Sequence, residues 1–242
     1  MTVVAGVASV ESVSIAADSL HVDLRSGLSS SVDKVRAGGG MLAALAGVSD
    51  VDGVDFFAVL DEALSVSQSI DQVPAAFVRA GGAGLVCAFD QWQVLTRGGV
   101  PVEGFVEIVA AQAHDGVPRL LHAWTVVDSD ALTMRYLLYS ATQEQAAVVA
   151  AGSTIIVAPL TTEAKRVRQR IQQLRRDRFG NAGGVGDVGD VCGQNTASDA
   201  ARLVQASIAA QAQIPRPAWW GEVMAPNAPV IAGPVTCRTL RC

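Results

Sequence analysis

The sequence has little of what a metal centre, a disulfide framework or a membrane span requires. It contains three histidines and four cysteines among 242 residues, and 5% of its residues are aromatic. The cysteines form no Cys-x-x-Cys pair, and no histidine is placed to complete a zinc site. The longest weakly polar run, 148–160, is interrupted by Gly152-Ser153-Thr154 and is shorter than the roughly 20 residues that a span needs. We therefore expect a soluble, cytoplasmic protein with no metal and no cofactor, and no contact with a membrane.

Charge is also scarce, with 17% charged residues and a net charge of -5. Nucleic-acid binding depends on a positive surface, so the chain as a whole is not expected to bind it. Seven basic residues fall within 163–179, where the pattern predicts a helix with a solvated outer face. Gly184–Gly189 matches a phosphate-loop pattern, but it follows that charged segment and carries Asp187 where phosphates would sit.

What the chain does have is small apolar residues in short runs, and 50% of all residues are hydrophobic. Runs at 2–8 and 13–18 predict one hairpin, and those flanking Gly38-Gly39-Gly40 predict a second. A first helix is expected to begin with Ser49 or Asp50 as its N-cap. Further on, the pattern predicts a helix over 73–95, strands over 105–113, 119–126 and 134–139, helices over 163–179 and 198–211, and a strand over 235–240. The Gly-rich segment 180–195 is predicted to be a mobile loop, and 215–242 an elaborated C-terminal tail.

Three residues form the most informative constellation: Thr2, Asp18 at the end of the second predicted strand, and Lys34 before the second hairpin. Removal of Met1 would give Thr2 both a hydroxyl nucleophile and a free α-amine. That amine has an ordinary pKa of about 7.7–8.0, which suits a general base near neutral pH. The Thr hydroxyl and N-terminal amine are an established pair in nucleophilic catalysis. A nearby lysine would tune the amine, and an aspartate would keep that lysine charged and oriented.

The sequence resembles the N-terminal nucleophile hydrolases of the proteasome β type, especially the bacterial HslV-like peptidases. Asp18 and Lys34 follow Thr2 at two intervals of 16 residues. The matching segments are Thr2-Val3-Val4, Ile15-Ala16-Ala17-Asp18, Lys34-Val35, Leu45-Ala46-Gly47 and Gly152-Ser153. By this resemblance Gly47 supplies the oxyanion-hole N–H, and Ser153 places a second hydroxyl near the nucleophile.

The resemblance also implies a fold and a function. The fold is α+β: a four-layer αββα sandwich in a single domain, 1–242, with two stacked antiparallel sheets and helices outside. The function is that of a self-compartmentalising threonine endopeptidase. Its expected partners are other copies of the chain in a homo-oligomeric ring, unfolded protein or peptide substrates, and a AAA+ ATPase.

Two alternatives stay open at this point. One is a non-catalytic, ring-forming homologue, and the other is an amidohydrolase acting on a small amide. His21, Val22 and Leu45 are the candidate substrate-binding residues, since His21 follows Asp18 by three positions and Leu45 precedes Gly47 by two. The apolar side chains of the first predicted helix exceed what one face can bury, which predicts a subunit contact there. They are Phe56, Phe57, Leu60 and Leu64.

Overall fold

The computed structural model describes residues 2–22, 28–51, 53–96, 105–128, 131–141, 146–152, 165–166, 169, 189–210 and 231–241. These residues form a sheet-rich α+β fold with antiparallel sheets. Its strands are β1 (Val3–Ala8), β2 (Ser12–Asp18), β3 (Leu20–Val22), β4 (Ser29–Ser31), β5 (Val35–Gly38), β6 (Met41–Gly47), β7 (Asp50–Val51), β8 (Val54–Asp55), β9 (Val106–His114), β10 (Val117–Asp128), β11 (Ala131–Ser140), β12 (Ala147–Gly152) and β13 (Val235–Arg241). Its helices are α1 (Phe56–Val66), α2 (Val73–Thr96) and α3 (Gly189–Ala210), with a short 3₁₀ turn at Ile70–Gln72.

Two larger sheets carry most of the strands. The first has the order β12-β1-β2-β13 and the second the order β11-β10-β9-β6-β5, with all neighbours antiparallel. Both predicted hairpins are confirmed as β1–β2 and β5–β6. The β5–β6 turn needs glycine because Gly39 and Gly40 have φ values of +57° and +73°.

A layer of small aliphatic side chains lies between the two larger sheets. It is made of Val4, Ala8, Val13, Ile15, Ala17, Val35, Leu42, Ala44, Ala46, Val109, Ala111, Leu120, Ala141, Ala147, Val149 and Ala151. Gly6 on β1 shows how closely the sheets approach, because a Cβ added there would meet Leu120 Cδ2 at 2.8 Å. The many alanines and this glycine therefore allow the sheets to pack face to face at short distance.

Helices cover the outer faces. Helix α3 packs on β1, β2 and β13, while α1 packs on β5 and on α2. The Phe56 ring meets Phe105 edge to face at a centroid distance of 6.0 Å, and Phe77 at 6.1 Å. Phe56, Phe57, Leu60 and Leu64 are 0%, 6%, 0% and 1% exposed. The predicted subunit contact through these four side chains is therefore wrong, because the chain's own α2 and sheet cover them.

The helix starts differ from the sequence predictions. Helix α1 begins at Phe56, because the small hairpin β7–β8 takes up the preceding residues. Its N-cap is Asp55, whose Oδ1 accepts hydrogen bonds from the backbone N–H groups of Phe57 at 2.8 Å and Ala58 at 3.4 Å. Helix α3 begins at Gly189, so the segment 189–195 is helical rather than a loop.

Other predictions divide into those the structure confirms and those it does not reach. The helix over 73–95 and the strands over 105–113, 119–126, 134–139 and 235–240 are confirmed. Strand β12 was not predicted, because its run of alanine and valine has no alternation of polar and apolar residues. The predictions for most of 163–179, for 180–188 and for 215–230 lie outside the described residues.

Helix α2 is unusual in length and composition. Ile70–Val94 is long and apolar enough to cross a membrane by those two criteria alone. Its Phe77, Leu85 and Trp92 side chains are buried against the rest of the chain. Since buried core helices pass the same test, this is weak support for a membrane span.

Helix α2 is kinked at Gly82, where the backbone leaves helical geometry, with φ 47° and ψ -135°.

Candidate active site

The structure brings Thr2, Asp18 and Lys34 together at one end of the β1–β2 hairpin. The pairing of Val4 with Ala17 places the start of β1 beside the end of β2. Lys34 Nζ donates a hydrogen bond to Thr2 Oγ1 at 2.9 Å and another to Asp18 Oδ2 at 3.1 Å. The three residues singled out by their sequence spacing are therefore joined by two hydrogen bonds, both donated by Lys34.

The three side chains are withdrawn from solvent. Thr2 is 6% exposed, Lys34 is 1% exposed and Asp18 is 0% exposed. A buried carboxylate must be compensated, and that of Asp18 has three donors. Its Oδ1 accepts from Val3 N at 2.9 Å, and its Oδ2 accepts from Leu20 N at 3.2 Å as well as from the Lys34 ammonium. Asp18 thus fixes the backbone next to Thr2 and the position of Lys34 at once.

Burial changes the acid–base behaviour of Lys34. Removal from water lowers the pKa of Lys34 from its ordinary 10.5, and this is the largest influence on it. The negative charge of Asp18 and its hydrogen bond to Lys34 act in the opposite direction and raise that pKa. The ammonium therefore gives up a proton more readily than a solvated lysine does. While protonated, it places a positive charge next to the Thr2 hydroxyl oxygen, which favours the alkoxide.

Gly47 lies at the end of β6. Because Val35 pairs with Ala44, the end of β6 and Lys34 belong to the same end of their sheet. Gly47 has a φ of +92°, in the left-handed region that favours glycine. Leu45 faces the helices and is 2% exposed. Its predicted contact with substrate would need an exposed surface, which this side chain does not have in the structure.

The other predicted site residues are placed as follows. His21 and Val22 lie on β3, which starts two residues after Asp18, and both are partly exposed. His21 Nδ1 lies 3.4 Å from Ser30 Oγ across the β3–β4 hairpin. Their role in substrate binding stays a prediction. Ser153 lies outside the described residues, which end in this region at Gly152.

Glu107 and His122 lie next to the site and were not predicted, and Gly152 was matched only as part of the Gly152-Ser153 pair, with no role of its own. Gly152 has a φ of +137°, and a Cβ added to it would meet the Thr2 carbonyl oxygen at 2.5 Å. Its N–H donates to Glu107 Oε1 at 3.3 Å, and Glu107 Oε2 lies 2.7 Å from His122 Nε2. The signal in the sequence was a glutamate inside the apolar run 105–111, where a buried charge calls for partners.

Metal ligands are not gathered anywhere in the described residues: no group of three or more His, Cys, Asp or Glu side chains could hold an ion there. The constellation itself offers a hydroxyl, an amine and a carboxylate. A threonine hydroxyl that accepts a hydrogen bond from a buried lysine, which an aspartate holds in place, is suited to nucleophilic attack on a carbonyl carbon.

Comparisons with known proteins add little to this geometry. No family model matches the chain, and no curated protein matches it. Among solved structures, the chain is similar to a Gly-1 mutant of Anbu from Hyphomicrobium sp. strain MC1. The TM-score is 0.47 at 12% sequence identity, with 100% of this chain and 87% of the other covered. A likeness at this level assigns neither family nor function.

Proposed function

We propose that the chain is a threonine-type hydrolase of amide bonds, with Thr2 as the nucleophile and peptides as the substrates. The observation that carries this proposal is the 2.9 Å hydrogen bond from buried Lys34 to Thr2 Oγ1, with Asp18 holding the same ammonium. As the family resemblance implies, the proposed architecture is the four-layer αββα sandwich of the proteasome β-type and HslV-like peptidases.

The proposed reaction has two halves. Once Met1 has been removed, Thr2 Oγ attacks the scissile carbonyl carbon while the Thr2 α-amine accepts the hydroxyl proton. The protonated amine then gives that proton to the departing amine of the substrate, which leaves an ester on Thr2 Oγ. Water hydrolyses the ester and restores the hydroxyl, with the α-amine again serving as the base. The N–H of Gly47 would stabilise the oxyanion, an interaction that contributes about 3–4 kcal/mol in other enzymes.

Lys34 and Asp18 support the Thr2 hydroxyl without reacting themselves. The positive charge of Lys34 stabilises the developing alkoxide and lowers the proton affinity of a neighbouring amine. Asp18 compensates that charge during the reaction, so the buried lysine keeps its place. The hydrogen bonds that this role uses run from Lys34 Nζ to Thr2 Oγ1 and Asp18 Oδ2, and from Val3 N–H to Asp18 Oδ1.

The proposal extends to assembly and location. We propose a homo-oligomeric ring in the cytoplasm that encloses the Thr2 sites and receives unfolded chains from a AAA+ ATPase. Closed symmetry is the usual outcome for homo-oligomers, and enclosure would keep folded proteins away from the nucleophile. Light scattering on the purified protein measures this directly: a ring gives a mass many times 25.0 kDa, and a fully active monomer would refute it.

The test of function is peptide hydrolysis by three matched proteins. Wild type, Thr2→Ser and Thr2→Ala are compared on fluorogenic peptides, after intact mass has shown whether Met1 is absent. We expect turnover by wild type and by Thr2→Ser, which keeps a hydroxyl, and none by Thr2→Ala. A folded wild type lacking Met1 but without turnover would favour the non-catalytic homologue. Turnover of small amides alone would favour the amidohydrolase.

A further inference from the structure

We propose that Glu107 is a positioning residue for Thr2, acting through the backbone of Gly152; the inference rests on the proposed function. Glu107 interrupts the aliphatic layer between the two larger sheets with a carboxylate that is 10% exposed. A whole buried pair such as Glu107 and His122 can often be replaced by hydrophobic residues without loss of stability, so stability alone gives no reason for a charge there.

The two carboxylate oxygens have separate partners. Oε1 accepts from the N–H of Gly152 at 3.3 Å, across the space between the two sheets. Oε2 lies 2.7 Å from Nε2 of His122, which is 21% exposed and belongs to the neighbouring strand β10. His122 therefore fixes one side of the carboxylate, and the other side is directed at β12.

Gly152 links the Glu107 carboxylate to the backbone of Thr2. It pairs with Val3 in the β1–β12 ladder, and its α-carbon faces the Thr2 carbonyl so closely that an added Cβ would meet the oxygen at 2.5 Å. A shift of Gly152 toward β1 would thus displace the Thr2 backbone. The carboxylate of Glu107 draws the Gly152 N–H toward the opposite sheet and so opposes that shift.

Glu107 also belongs to the strand next to the predicted oxyanion glycine. On β9 it pairs with Ala46, the residue before Gly47. Glu107 thus lies on the strand that pairs with β6, which ends in Gly47, while its side chain contacts Gly152 on β12, which pairs with β1. Reacting groups held this way keep their separation, and a misplacement of about 1 Å can cost about 100-fold in rate.

Three variants separate positioning from stability. Glu107→Leu fills the space but removes both hydrogen bonds, Glu107→Gln keeps an oxygen for the Gly152 N–H and an amide for His122, and Glu62→Leu is the control on the exposed face of α1. We expect Glu107→Leu to melt below wild type, because the Gly152 N–H and His122 lose their partner, and to lose about 100-fold in kcat at temperatures where it stays fully folded, with KM changed less than about threefold. Glu107→Gln should recover kcat to within about fivefold of wild type.

Hydrogen exchange tests the hydrogen bond between Gly152 and Glu107 independently of turnover. The peptide containing Gly152 should exchange faster in Glu107→Leu than in wild type, and at the wild-type rate in Glu107→Gln. Wild-type kcat in Glu107→Leu, equal loss in both Glu107 variants, or unchanged exchange would overturn the positioning role. If wild type itself lacks turnover, the proposed function fails, and the exchange result alone decides whether Glu107 holds Gly152.

Discussion

At the residue scale, the ion pair of Lys34 and Asp18 governs both the chemistry and the stability of the site. Replacing Lys34 by Met removes the hydrogen bond to Thr2 Oγ1 and leaves the Asp18 carboxylate buried without its cation. We expect turnover to fall to background and the free energy of unfolding to fall by about 3–5 kcal/mol. Fluorogenic peptide assays and urea unfolding measure the two effects.

A double variant separates the effect of Lys34 on turnover from its effect on stability. Asp18→Asn with Lys34→Met removes both charges and keeps an acceptor for the Val3 N–H, so most of the lost stability should return while activity does not. Restored turnover in the double variant would show that Lys34 acts on structure alone. The control is Arg135→Met, since Arg135 forms a long ion pair with Asp128 at 4.0 Å in which both side chains are exposed.

A second prediction at this scale concerns thiol reactivity. Burial raises the pKa of Cys237 to about 11, whereas Cys87 is exposed. A pKa of about 11 leaves about one thiolate in 1000 at pH 8, and the thiolate is the reactive form. Iodoacetamide at pH 8 should therefore modify Cys87 long before Cys237, with the Cys237 rate rising about tenfold per pH unit. Peptide mapping checks this, and equal rates at pH 8 would contradict the buried placement.

At the scale of elements, the start of α1 depends on one side chain. Asp55→Ala removes the acceptor of the Phe57 and Ala58 N–H groups, and we expect a loss of about 1 kcal/mol in thermal or urea unfolding. Asp55→Asn keeps a capping oxygen and should lose much less. Asp50→Ala, at one of the two positions that the sequence offered as the cap, should have little effect. If Asp50→Ala lost more stability than Asp55→Ala, the helix would start earlier than Phe56.

The elements also show what sequence reasoning could reach. Both hairpins could be predicted because Gly-rich or polar turns separate short β-branched runs, and the spacing of Thr2, Asp18 and Lys34 follows from those hairpins. The cap at Asp55 could not, since Ser49, Asp50 and Asp55 are equally good caps and only the β7–β8 pairing chooses among them. The role of Gly152 was equally hidden, because it depends on pairing with Val3 across 149 positions of sequence.

At the scale of the whole molecule, the apolar face of α1 belongs to the chain's own core. Leu64 is 1% exposed, and Val66 on the same helix is 64% exposed. Leu64→Glu should destabilise the fold by at least the roughly 2–5 kcal/mol that truncation of a buried leucine costs. Val66→Glu should leave the melting temperature near that of wild type. A stable, smaller assembly of Leu64→Glu would instead indicate the subunit contact that the sequence suggested.

The central claim is that Thr2 Oγ is the nucleophile, and covalent trapping tests it most directly. The protein is incubated with a peptide vinyl sulfone, which forms a stable bond with an activated hydroxyl, and is then analysed by intact mass and peptide sequencing. We predict one probe per chain, bonded to Thr2 at the N-terminus of a chain that lacks Met1, and no adduct in Thr2→Ala. An unmodified Thr2, or equal labelling of wild type and Thr2→Ala, would contradict the account.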